Sequence, residues 1–549
     1  MGEAKRRRSL ASQDAAAAQG GARPRLSVCL IARNEAPNLP RALGSVRAVA
    51  DELIVVDTGS TDATVAVARR LGARVEHFAW RDDFAAARNH ALSMARAAWI
   101  LSMDADEELA PESVEPLRRI VRSDPGEPRL LTVEIHSRLD SGLTSVSSLG
   151  RILPNLPWLR FRRPVHEELA RVDGGPLALV PADGVVLIHH GYQEAERVRQ
   201  GKAERNLALL ERAVGERPDD VASRYYLAVE YGSVGRVAQA ARILGAWIDR
   251  IERELPRQAA VRALHQHAQA LWALGRADDA VAVAVGGAHR HGSPTLHAAA
   301  ASFLAETSPL EAEREARSAL ELAGRTRDEV LPRPAIEAAA RVVLGDLRRR
   351  AGDPDAAGRE YQAAAAALPA SAAPKVRLAE LSAAGGDLTG ARRRLLDALA
   401  DTPHDPASHV ALGRVERRLG LLQAAFDRLV EQVAATPRNL ELRLELAAVL
   451  YEAGEFGPGA DVLAAAADLE ELAAAGPRFR GGYFERLAHG CLRADRLEAA
   501  TVAYRTAFQA DPSLVSHRAG VVAAPDHPAP SEAAPRPTAA PPGRAAPRA

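Results

Sequence analysis

The chain has 549 residues, 47% of them hydrophobic, and its 71 Lys and Arg are balanced by 71 Asp and Glu. Such a length exceeds a single hydrophobic core, so two or more domains are expected. With zero formal net charge, and no basic block interleaved with aromatics after residue 10, a nucleic-acid footprint is excluded.

Residues 1–23 begin with a basic cluster but have no apolar segment behind it, so they read as a solvated, disordered tail rather than a leader. No charge-free run is long enough to span a bilayer, and the two cysteines, Cys29 and Cys491, are far apart in the chain. The expectation is a soluble cytoplasmic protein without disulfides or a membrane span.

From residue 26 apolar runs alternate with amphipathic segments. Strands are predicted at 26–31, 52–56, 73–78 and 99–103, and helices at 38–47, 62–71 and 84–96, the second closed by Gly72. Continuous apolar strands separated by helices imply an α/β fold with a mostly parallel sheet covered on both faces. In such sheets ligands bind beyond the carboxyl ends of the strands. There the sequence places Asn34 and Glu35 after the first strand, Asp57 after the second, and Asp104 and Asp106 after the fourth. The first strand is followed by ARNEAPN rather than a Gly-x-Gly-x-x-Gly turn, which rules out a dinucleotide fold. Further strands are predicted at 129–137 and 147–153, ahead of the segments RFRRPVHEEL and LVPADGVVLIHHGY.

From about 201 to 515 the composition turns to Ala, Leu, Arg and Glu with helical periodicity. Gly352, Gly386, Gly420 and Gly454 are spaced 34 residues apart, as are Pro369, Pro403 and Pro437. Each of these glycines follows by eight residues a Leu-small pair: Leu344-Gly345, Leu378-Ala379, Leu412-Gly413 and Leu446-Ala447. The period resembles the tetratricopeptide repeat, a helix-turn-helix unit whose apolar face is buried by its neighbours. Five repeats of fair quality and two irregular ones, near 285–335 and 480–512, are expected to form an all-α solenoid. Residues 516–549, rich in Pro and Ala, are expected to be disordered.

The segments LSVCLIARNEAPNLPRALGSV, DELIVVDTGSTDATVAVARRLGARV and WRDDFAAARNHALSMARAAWILSMDADEEL together resemble the family 2 glycosyltransferases of the GT-A fold. The later VHEEL, LIHHGY and repeats look like a bacterial subgroup of that family. The resemblance divides the chain into a GT-A domain at 24–200 and a tetratricopeptide-like solenoid at 201–515. It implies a metal-dependent, inverting transferase of the hexosyl or N-acetylhexosaminyl type, using a nucleotide-sugar donor with a UDP-sugar as the leading choice. Two aspartates at i and i+2 face one side of an extended chain, and hard oxygen donors suit Mg²⁺ or Mn²⁺ bound together with phosphate. Asp104 and Asp106 are therefore the expected metal site, with His189 completing the shell, although acids here would also suit the helix beginning near Pro111.

By the same resemblance Asp57 contacts the nucleoside, Arg88 reaches the nucleotide or its phosphates, and Asn34 and Glu35 line the pocket. Ser60, Thr61 and Asp62 read as caps for the next helix. Glu167, with His166 beside it, is the candidate base on the acceptor side. The solenoid is expected to bind a protein or peptide. The rival reading is an interaction scaffold carrying an inactive transferase-like domain.

Overall fold

The computed structural model describes residues 24–125, 129–138, 144–190, 196–326, 330–469, 472, 473 and 475–514. Both expected tails, 1–23 and 516–549, lie outside the described residues, as do Gly191 and Tyr192 of the HHGY segment. The chain divides into two compact units, the first ending at Gln266 and the second beginning at His267.

The first unit is built on an eight-stranded sheet. In chain order its elements are β1 (Leu26–Ala32), α1 (Leu39–Val46), β2 (Glu52–Asp57), α2 (Thr64–Arg70), β3 (Arg74–His77), α3 (Phe84–Met94) and β4 (Trp99–Asp104). There follow β5 (Glu107–Leu109), a short 3₁₀ turn at Pro111–Ser113, α4 (Val114–Arg122), β6 (Arg129–Arg138), β7 (Thr144–Pro154), β8 (Leu159–Arg162), β9 (Glu168–Arg171) and β10 (Ala178–His189). The strand order is β3-β2-β1-β4-β7-β6-β10-β5, while β8 and β9 form a separate ribbon. Strands β3, β2, β1 and β4 run parallel, and β7 enters antiparallel beside β4.

The apolar runs of β1, β2 and β4 are buried on both faces: Leu26, Val28, Val55, Trp99, Leu101 and Met103 have essentially no exposed surface. Their side chains pack against α1 and α4 on one side. On the other, Cys29, Ile54, Val56 and Ile100 pack against Ala85, Ala91 and Leu92 of α3. Burial on both faces leaves only the strand ends open to polar chemistry, so the acids after β2 and β4 are brought to one edge of the sheet.

Helix hairpins begin within the first unit with α5 (Glu196–Glu216), α6 (Val221–Ser233) and α7 (Val237–Glu254), and the division between the units falls inside α8 (Arg257–Ala273). The second unit carries α9 (Ala277–His291), α10 (Pro294–Leu304), α11 (Pro309–Ala323), α12 (Arg333–Arg350), α13 (Pro354–Ala367), α14 (Ala372–Ala384) and α15 (Leu388–Asp401). After these come α16 (Pro406–Arg418), α17 (Leu422–Ala435), α18 (Leu440–Glu452), α19 (Phe456–Ala464), α20 (Pro477–Arg493) and α21 (Leu497–Ala510). From α6 to α21 the helices pair into eight hairpins among the described residues, one more than the seven repeats expected. Six of the turns carry a left-handed glycine, Gly235, Gly275, Gly352, Gly386, Gly420 and Gly454, one more than the five regular repeats expected, whereas the α10–α11 turn and the α20–α21 turn at Asp495 have none.

The 34-residue period has a direct cause. Gly352, Gly386, Gly420 and Gly454 each take a left-handed backbone, φ 74° to 91°, that ends one helix and lets the chain reverse. Ala357, Ala391 and Ala425, also 34 apart, are fully buried. Neighbouring hairpins share cores: Val376 and Ala379 of α14, Leu395 of α15 and Leu412 and Val415 of α16 form one cluster. No helix among the described residues is long and apolar enough to cross a membrane.

Candidate active site

At the end of β1 the chain turns through Asn34, whose φ of 57° is a left-handed conformation that Asn tolerates better than most residues. Asn34 bridges two strand ends: its side-chain Oδ1 accepts the Thr61 backbone amide at 2.8 Å, while its backbone amide donates to Ser60 Oγ at 2.9 Å. The Glu35 amide donates to Thr64 Oγ1 at 2.8 Å, and Glu35 Oε2 accepts from Asn38 at 2.8 Å. Asp62 Oδ1 accepts the Thr64 amide at 2.9 Å one residue ahead of the N-cap position of α2, which is Ala63 and makes no side-chain cap. Asn34 and Glu35 therefore brace the turn after β2.

Asp57, the last residue of β2, is buried. It accepts the Gly59 and Ser60 amides, both at 3.2 Å, and lies 3.1 Å from His77 Nδ1 at the end of β3. Burial alone would push its carboxyl up, but hydrogen bonds from Ser60, Gly59 and His77 outweigh burial and hold it below the usual carboxylate range. Asp57 therefore stays ionised at the strand edge.

The centre of the site is a buried chain of charges. Arg88, on the inner face of α3 and 7% exposed, donates through Nε to Glu167 Oε1, through Nη2 to Asp104 Oδ1, and through Nη1 to Ser102 Oγ at 3.3 Å. Arg151 on β7 places Nη2 at 2.6 Å from both Asp104 Oδ2 and Glu107 Oε1. Glu107 in turn accepts the Asp104 amide at 2.8 Å.

Burial opposes the charge on both guanidiniums, yet the Asp104 carboxylate, with Glu167 beside Arg88 and Glu107 beside Arg151, keeps them firmly protonated. Burial also works against Asp104, but Arg151 and Arg88 hold it well below the usual range. Glu107 ends up raised, because burial exceeds what Arg151 returns. Two buried cations against three carboxylates leave one negative charge in excess, which favours a cation or a proton at this edge.

Asp106 and His189 form the outer part of the site. Strand β10 pairs with β5 so that His189 lies opposite Glu107, and His189 Nε2 stands 3.2 Å from Asp106 Oδ2. Burial would lower the His189 imidazole, but Asp106, with Glu107 and Asp104 behind it, raises it above its ordinary value. Among the described residues no group of three or more His, Cys, Asp or Glu side chains is arranged to hold a metal by itself. The pair nonetheless fits one: a carboxylate oxygen and an imidazole nitrogen at that separation can share an octahedral ion, leaving its other positions to phosphate and water. Asp104 is held by two arginines rather than standing beside Asp106 as an equal ligand.

The expected pair of Glu167 and His166 separates. Glu167 points to Arg88, while the adjacent His166 points away, its ring stacked on Tyr226 of α6 at 4.1 Å. The sequence reading did not anticipate Glu107, Ser102 or the grip of Arg151 on Asp104. A signal for Arg151 was present, since a lone arginine inside the apolar strand SSLGRILP must find a carboxylate when buried.

Residues 27–126 match the model of the family described as Glycosyl transferase family 2. Over 210 residues the chain is 40% identical to a TPR repeat-containing protein of Synechococcus elongatus, covering 37% of this chain and 51% of that one. Over 111 residues it is 39% identical to an uncharacterized glycosyltransferase of Rickettsia bellii, covering 20% and 37%. A thermophilic TPR protein of Thermus thermophilus aligns with 34% of this chain and 97% of its own, at 22% identity and a TM-score of 0.28. The chain thus spans about half the length of the first of these relatives and less of the second. It carries a glycosyl transferase family 2 domain at residues 27–126.

Proposed function

We propose that this protein transfers a sugar, with inversion, from a nucleotide-diphosphate sugar to a hydroxyl or thiol acceptor, with Asp106 and His189 holding a divalent cation. The observation that carries the reading is the convergence of Asp57, the Asp106–His189 pair and the Arg88-bridged acids Asp104 and Glu167 at the carboxyl edge of the parallel strands. The family 2 match over residues 27–126 supports the donor class.

Asp57 binds the nucleoside, with a UDP-sugar as the first donor to try. The cation, when bound, offsets the charge of the diphosphate as it leaves. Arg88 and Arg151 fix Asp104 at the strand end and keep it ionised, which sets the geometry of the adjacent Asp106 turn. Glu167 takes the proton from the acceptor as the acceptor oxygen or sulfur bonds to the anomeric carbon and the diphosphate departs with its bonding electrons. Arg88 holds Glu167 in register with Asp104. The helical repeats present a protein or peptide acceptor, or a partner protein.

One observation favours the alternative, a scaffold with an inactive domain: both Asp104 oxygens are already taken by guanidiniums. A screen of UDP-, GDP- and dTDP-sugars for Mn²⁺-dependent release of nucleotide diphosphate separates the two. Turnover of one donor by the wild type and none by Asp106→Asn is expected; no turnover and no binding of any donor would leave the scaffold.

A further inference from the structure

The loop carrying Glu167 runs against its own conformational preference. Arg163 and His166 both adopt left-handed backbone angles, φ 75° and 50°, a region that residues with a β-carbon avoid. Such a conformation persists only where its surroundings over-determine it. Here much of that surrounding comes from the first helices after the sheet.

Arg163 is held between Glu168 at 2.9 Å and Asp220, just ahead of α6, at 3.3 Å. The Pro164 carbonyl accepts the Phe84 amide at 2.9 Å, tying the loop to the start of the helix that carries Arg88. Val165 is buried with Leu207 and Leu210 of α5 and Leu227 of α6. The His166 ring lies almost parallel to the Tyr226 ring, 11° apart, with Nε2 3.6 Å from Glu230 Oε1. Glu230 is itself fixed by Asn206 at 3.0 Å and Ser233 at 3.1 Å, and these bonds, with His166, outweigh burial and hold it in the ionised form. Because His166 and Glu167 are consecutive and point opposite ways, fixing His166 on α6 aims Glu167 at Arg88.

We propose that Tyr226 and Glu230 are positioning residues for transfer: they anchor His166, and through the turn at 163–166 they set Glu167 in its working place. The first helix hairpin is then a part of the catalytic unit rather than only a docking surface. This rests on the reading of Glu167 as the acceptor-side base.

The test uses the full chain with Tyr226→Ala, Tyr226→Phe and Glu230→Gln, and three readouts: hydrogen exchange of segment 163–168, Mn²⁺–UDP affinity, and kcat and KM for the donor found active in the screen. Tyr226→Ala and Glu230→Gln should speed exchange in the segment about tenfold, since a local anchor is lost while the sheet is not. Both should lower kcat roughly tenfold or more, as misplacement of a reacting group does, with donor KM and UDP affinity within about twofold of wild type. Tyr226→Phe keeps the stacked ring and should match the wild type in every readout.

Unchanged exchange in both damaging variants overturns the anchor whether or not the protein turns over a sugar. Faster exchange with unaltered kcat overturns the positioning role. Faster exchange in a protein that turns over no nucleotide sugar retains the anchor but removes the catalytic reading of Glu167 and the positioning role with it.

Discussion

The two compact units use their charges in opposite ways. In the first, the ion pairs of the site join residues far apart in sequence, Arg88 with Glu167 and Arg151 with Asp104 and Glu107, and most of these side chains are buried. In the second, many pairs are one helical turn apart on exposed faces, as in Arg317–Glu313, Arg325–Glu321 and Arg333–Glu337. Others join neighbouring hairpins, such as Arg348–Glu313 and Arg392–Glu416. Local pairs solubilise a repeat that can be copied along the chain. A convergent buried set cannot be copied, because it depends on one topology that brings distant side chains together.

The largest expected effect follows from that contrast. Arg88→Met leaves Asp104 and Glu167 without their shared cation, and stability should fall by about 3–5 kcal/mol, as when one partner of a buried pair is removed. Arg317→Met, which breaks an exposed pair four residues apart, should cost no more than about 0.5 kcal/mol. Denaturant melts of the two variants check this, and equal losses would erase the distinction between the units.

Packing in the repeats gives the next effect. A β-carbon added at Gly345 would be driven into the Tyr361 ring, the same ring whose hydroxyl donates to Asp346 at 2.7 Å. Gly345→Val should therefore cost about 1–3 kcal/mol through overpacking. A β-carbon at Gly386 meets open space, yet φ there is 91°. Gly386→Ala should lose about 1–2 kcal/mol from backbone conformation alone. Thermal melts distinguish the two, because only the first should be relieved by adding Tyr361→Leu.

A further effect is a pH dependence in the helical part. Burial, helped by the nearby Arg262 charge, lowers His265 to about 4. The unfolded chain then takes up this proton more readily than the folded one, so stability should decline as pH falls from about 6.5 toward 4 and be independent of this group above that range. His265→Gln should flatten that part of the curve, and an unchanged slope would show that other groups govern it.

How much of this was legible follows the same contrast. Strands β1, β2 and β4 were readable because their apolar runs are continuous, and the repeats because a glycine returns every 34 residues with a left-handed φ. Strand β10 was not, since ALVPADGVVLIH contains Pro181 and Gly184 and its pairing shifts register between Pro181 and Val186. Asp57, Asp104 and Asp106 could be placed at strand ends from position alone. Which acid meets which arginine could not, because β7 enters antiparallel beside β4 and α3 crosses above them, so Arg151 and Arg88 reach Asp104 from opposite directions in the sequence. The divergence of His166 from Glu167 depends on Tyr226 and Glu230, some sixty residues later, and no local pattern announces it.

The central claim is that the carboxyl edge of the parallel strands binds a nucleotide diphosphate through a cation held at Asp106 and His189. Calorimetric titration of UDP into the full chain with Mn²⁺ tests it most directly, with the wild type compared against Asp106→Asn. The account predicts saturable, Mn²⁺-dependent binding by the wild type and at least about a hundredfold weaker binding by the variant, with a melting temperature nearly unchanged, since this acid serves the ligand more than the fold. Binding of equal affinity by both proteins in Mn²⁺ would contradict it.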